Sequence, residues 1–136
     1  MSLDKQVSNP GYRLGRLFAV LENIQRNALG GQVNATIRDR YYGAASATPA
    51  TIFPMLLRNT QNHLAKVRKE KPGLAHNLER DVGEIIDGMP TLFPRNLKLE
   101  DQGRFAIGYY HQSQARFNRT NDDSSTGPET EQGAEQ

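Results

Sequence analysis

The sequence predicts an all-α protein, a compact bundle of about five helices over residues 10–119, preceded by a flexible N-terminus (1–9) and followed by a disordered acidic tail (120–136). Three observations predict this. Apolar residues recur at spacings of three and four, Gly, Pro and Asn interrupt them at helix-length intervals, and no stretch alternates with period two. At 136 residues, 36% hydrophobic and 24% charged, the chain builds one domain with one modest core.

The first helix follows Asn9-Pro10-Gly11. Leu14, Leu17, Phe18, Leu21, Ile24 and Ala28 fall on one face, with Arg16 and Asn23 opposite, and Gly30-Gly31 supplies a C-terminal stop in which glycine adopts the left-handed conformation. Asn34 can cap a second, short helix, Ala35 to Ala45, centred on Arg38-Asp39-Arg40-Tyr41-Tyr42.

Thr48 followed by Pro49 marks the start of a third helix, because proline at the first helical position loses an N–H that would be unpaired anyway. Pro54 leaves two alternatives. The helix bends there, or residues 50–53 form a separate turn and the long helix runs from Pro54 to about Lys69. Phe53, Leu56, Leu57, Thr60, Leu64 and Val67 share an arc, while Arg58, Asn62, Lys66 and Lys69 line the opposite side.

Pro72-Gly73 breaks the chain before a fourth helix carrying Leu74, Leu78, Val82, Ile85 and Ile86, which stops at Asp87-Gly88-Met89-Pro90. A connection containing Pro90 and Pro94 leads to the last helix, about Leu99 to Arg119. Glu100 and Asp101 suit the positive end of its dipole. Its expected apolar stripe is Phe105, Ala106, Tyr109, Tyr110 and Phe117, with Arg104, His111 and Asn118 on the other side. Gly11-x3-Gly15 and Gly103-x4-Gly108 suggest helices in close approach rather than a ligand loop.

The net charge of +2 hides an asymmetry: seventeen bases against ten acids give residues 1–119 a charge of +7, while the last 17 residues hold five acids and no base. That tail has Ala134 as its lone apolar residue and cannot bury enough surface to offset ordering entropy. The mean hydropathy of −0.71, the lack of a long apolar run and an opening Met1-Ser2-Leu3-Asp4-Lys5 without signal-peptide character lead to the expectation of a soluble, cytoplasmic protein.

Catalytic inventory is thin. The chain has no cysteine, and His63, His76 and His111 lie on three different helices, outside any spacing that puts two metal ligands on one face. The acid pairs Asp81/Glu84 and Glu84/Asp87 read as a solvated helical face, and no phosphate loop or nucleophile elbow is present. The expectation is a protein that is not an enzyme and uses no cofactor or metal.

Binding of a polyanion has better support. Arg58, Lys66 and Lys69, extended by Arg68 and Lys71, could follow a phosphate backbone without reading sequence. Arg38 and Arg40 beside Tyr41 and Tyr42 combine charge with aromatic rings, as single-strand binders do, and Arg104 adds a base on the last helix. These eight residues are the candidate nucleic-acid contacts. The alternatives are a solvated basic face for the third helix, and for the second an internal ion pair of Asp39 with two tyrosines in the core. Tyr109-Tyr110 is expected in the core.

The stretches Tyr12–Glu22, Asn34–Ser46 and Leu99–Gln112, together with Thr48–Pro54 and Gly83–Gly88, resemble the C-terminal region of the large subunit of type I-C CRISPR effector complexes. The resemblance covers about Tyr12 to Gln112 and leaves the tail outside. That large subunit is several times longer and carries its PAM-reading region upstream, but its C-terminal region is also made separately, from an internal start, as the small subunit of the surveillance complex (Cascade). The resemblance therefore implies a helical, non-catalytic subunit that packs along the crRNA-bound backbone and helps hold the displaced non-target DNA strand in the R-loop. Its partners would be the backbone subunits, the large subunit, a neighbouring small subunit, single-stranded DNA and crRNA, with cleavage left to a separately recruited helicase-nuclease. The alternative is a purely structural scaffold that touches subunits or crRNA and never the DNA strand.

Overall fold

A computed structural model describes residues 3–30, 36–89 and 93–125, with side chains as far as Ala115. Five helices follow in chain order: α1 (Pro10–Leu29), α2 (Ile37–Ala47), α3 (Pro49–Glu70), α4 (Pro72–Asp87) and α5 (Leu99–Ser125). Among the described residues there is no strand, as expected. The expected tail disorder concerns residues whose side chains lie outside the described ones.

α1 is the central helix and touches all four others. Asn9 caps it by accepting from the Tyr12 N–H at 3.1 Å, and Gly30 ends it at φ +60°. The cap proposed at Asn34 lies outside the described residues. α2 begins at Ile37, where the Thr36 N–H donates to the Asp39 carboxylate at 3.0 Å, so Asp39 is a capping residue. α3 is one helix with Pro54 inside it, which settles the two alternatives in favour of continuity.

α1 and α5 pack backbone to backbone. A Cβ at Gly11 or Gly15 would overlap the carbonyl oxygens of Asp101 or Phe105, and one at Gly108 would overlap that of Tyr12. The expected close approach holds for these three glycines and not for Gly103, which has open space around it. Phe18 sits at the middle of the resulting core, edge-on to Tyr42 and Phe53 and tilted against Phe105 and Tyr109. The connection into α5 is tied to the α2–α3 junction by Leu97 N–H to Ala47 O and Ala50 N–H to Pro94 O, each 3.0 Å. Those bonds satisfy groups that helix ends leave unpaired.

Three expectations need correction. Arg16 is not on an outer face: with partners on every side, α1 buries Arg13, Arg16 and Glu22 along with its apolar residues. Each finds a partner. Arg13 Nη2 donates to the Glu84 and Ile85 carbonyls at 3.0 and 3.1 Å, closing the end of α4, and Arg16 Nε donates to Gln112 Oε1 at 3.0 Å. Glu22 accepts from Tyr109 Oη at 2.5 Å and pairs with Arg26 at 3.4 Å.

Second, the stripe of α5 is rotated. Its inner face is Phe105, Gly108, Tyr109, His111 and Gln112, while Ala106 and Tyr110 point outward. The glycine contact fixes that rotation and buries His111 with it, the Nδ1 atom lying 2.8 Å from Tyr12 Oη. Third, Asp81 is buried on α4, 3.7 Å from Arg80, and is not part of a solvated acidic face.

Candidate nucleic-acid interface

α3 is amphipathic as its spacing predicts: Phe53, Leu56, Thr60, Leu64 and Val67 are buried, and Arg58, Asn62, Lys66 and Lys69 are exposed. Among the described residues, Arg58, Lys66 and Lys69 make no ion pair, so their charge is uncompensated at close range. The bases beside them are engaged. Arg68 turns toward α4, Nη2 lying 3.2 Å from Glu79 Oε1, and Lys71 donates to Asn27 Oδ1 at 3.5 Å. On α5, Arg104 is held by Glu100 at 3.0 Å and Asp101 at 3.5 Å.

On α2 the two arginines part company. Arg38 lies over aromatic faces, its guanidinium carbon 5.8 Å from the Tyr42 ring centre and 5.4 Å from that of Tyr109. Tyr42 is therefore engaged within the chain, with Arg38 over its ring and edge-type contacts to Phe18 and Phe105. Burial pushes the Tyr42 hydroxyl pKa up, with Arg38 opposing.

Arg40, by contrast, lines a cavity of about 240 Å³ between α1, α2 and α3, together with Gln25, Tyr41, Leu56, Asn59 and His63. Burial and then the neighbouring charge of Lys66 depress the His63 pKa, which keeps its imidazole neutral near pH 7. The Ile37 N–H donates to Gln25 Oε1 at 3.0 Å, so the Gln25 amide is oriented with its Nε2 left to donate elsewhere.

Of the eight candidate contacts, then, Arg58, Lys66 and Lys69 share one open face and Arg40 sits at a cavity. Arg38, Arg68, Lys71 and Arg104 have partners within the chain. Sequence reasoning missed Gln25, Asn59 and His63. A signal existed for the last two, since Asn59, His63 and Lys66 follow each other at spacings of four and three along one edge of α3. None existed for Gln25, which reaches the cavity from another helix.

Among the described residues no three of His, Asp and Glu come together as metal ligands would, and no helix is long and apolar enough to cross a membrane. Compared with known families, residues 1–117 match the one described as CRISPR-associated protein (Cas_Csd1). No curated protein matches the chain.

Proposed function

The chain belongs to the CRISPR-associated Cas_Csd1 family, the match covering residues 1–117 of 136, and from that premise we propose that it works as the non-catalytic small subunit of a type I-C surveillance complex. In this reading it is the separately made C-terminal region of the large subunit, packs along the crRNA-bound backbone in the cytoplasm, and steadies the displaced non-target strand during R-loop formation. One observation carries the strand role: Arg58, Lys66 and Lys69 line an exposed helical face without an acidic partner among the described residues. A displaced strand varies in sequence from target to target, so its holder needs phosphate contacts and no base code.

The test is binding of a single-stranded oligonucleotide by the full chain across a salt series. Three or four phosphate contacts at about 0.7 log units each predict a slope near −2 to −3 in log affinity against log salt. A flat response overturns the electrostatic reading. A scaffold role without strand contact is favoured by a different observation, the exposed apolar residues Leu99 (83%), Ile107 (46%) and Tyr110 (55%) on α5. Incorporation into the complex with no strand binding by either the chain or the complex would select that reading.

A further inference from the structure

The cavity between α1, α2 and α3 has a chemical make-up that the phosphate-following face does not need. Leu56 and Tyr41 give it apolar walls, Gln25, Asn59 and His63 give it neutral donors and acceptors, and Arg40 is its single charged lining residue. A cation finds no carboxylate among the residues lining it, an apolar ligand would leave the amides and imidazole unpaired, and a bare anion would waste the apolar walls. A planar heteroaromatic ring with a polar edge and one anionic end satisfies all three parts. At about 240 Å³ the cavity is smaller than the roughly 300–1,000 Å³ of sites for larger ligands, which suits a single nucleotide and not a dinucleotide.

We propose that this cavity takes one unstacked nucleotide of the bound single strand, with Arg40 on its phosphate, Tyr41 and Leu56 against the base face, and Gln25, Asn59 and His63 on the base edge. The inference rests on the strand-binding reading above. The neutral state of His63 supports it, because a neutral imidazole offers one donor and one acceptor, and the fixed Gln25 amide adds a donor. Mixed donors and acceptors of this kind fit several bases, so the cavity strengthens binding with little sequence preference.

The experiment compares the full chain's affinity for an oligothymidine with that for an abasic deoxyribose-phosphate strand of equal length, while following the His63 imidazole signal by NMR. The expected result is a preference of about tenfold for the base-bearing strand, the size that one stacked base supplies. The His63 signal should shift with it. Asn59→Ala combined with His63→Ala should remove most of that preference and keep the salt slope set by α3, and unchanged helicity of the variant shows that the fold is kept. Equal affinity for both strands with an unmoved His63 signal overturns the nucleotide pocket while leaving phosphate binding in place. No binding of either strand at low salt overturns both readings.

Discussion

Tyr109 shows how a buried polar contact becomes a measurable pH dependence. Burial first, and then the hydrogen bond to Glu22, push its pKa up to about 12, from the ordinary value near 10. The folded chain thus holds this proton more tightly than the unfolded chain. Its contribution to stability is complete below pH 10 and is lost as pH rises through about 12. Urea midpoints over that window should fall for the native chain. Tyr109→Phe should already be less stable at pH 7, by about 1–3 kcal/mol because Glu22 loses a donor, and should show a shallower alkaline decline. Equal declines would mean that some other group titrates there. Such contacts are the least legible level of the sequence. Helical periodicity sorts Arg16 onto an outer face and gives no reason to bury Arg13 or Glu22, because it ranks residues by polarity alone. Here the tight α1–α5 contact and the exposed end of α4 offer each of them a partner, and a satisfied polar group can be buried.

The helices themselves were legible, since caps, prolines and apolar spacing are local signals, and α3 presents the face its pattern predicts. The rotation of α5 was not, because it carries apolar residues on two faces and only the backbone contact through Gly11, Gly15 and Gly108 decides which one turns inward. The glycines therefore divide by context. Gly15→Ala should destabilise the chain by about 1–3 kcal/mol, because the new methyl meets the Phe105 backbone, which has no rotamer to yield. Gly103→Ala should stabilise it by up to about 1 kcal/mol, since nothing lies near and alanine favours the helix. Thermal unfolding of the two variants checks the contrast, and equal effects would refute the assigned packing. A second contrast lies within α3. Replacing Arg58, Lys66 and Lys69 together by Glu should leave the melting temperature nearly unchanged while reducing single-strand binding and R-loop formation, whereas Leu64→Ala should cost about 2–5 kcal/mol. Normal R-loops with the triple variant would exclude this face as the strand-holding surface.

At the scale of the whole molecule, charge and apolar exposure are separated. α3 carries +3 and α4, packed beside it, carries −3, so charge of opposite sign collects on two neighbouring helices. α5 differs, since its Arg104 is paired with Glu100 and Asp101. Its outward face runs through Leu99, Gly103, Ala106, Ile107 and Tyr110 at spacings of three and four, all exposed. If α5 docks onto a protein subunit while α3 meets the strand, the two activities must separate by mutation. Changing Leu99, Ile107 and Tyr110 together to Gln keeps helix propensity and opens no cavity, so the isolated chain should melt as before and bind single-stranded DNA with the same salt slope. Its incorporation into the reconstituted complex should drop sharply, because the apolar area available for burial is lost. Co-purification stoichiometry provides the measurement. Full incorporation of the Gln variant would remove α5 as the docking face, and a loss of strand binding by the isolated variant would show that the two surfaces are one.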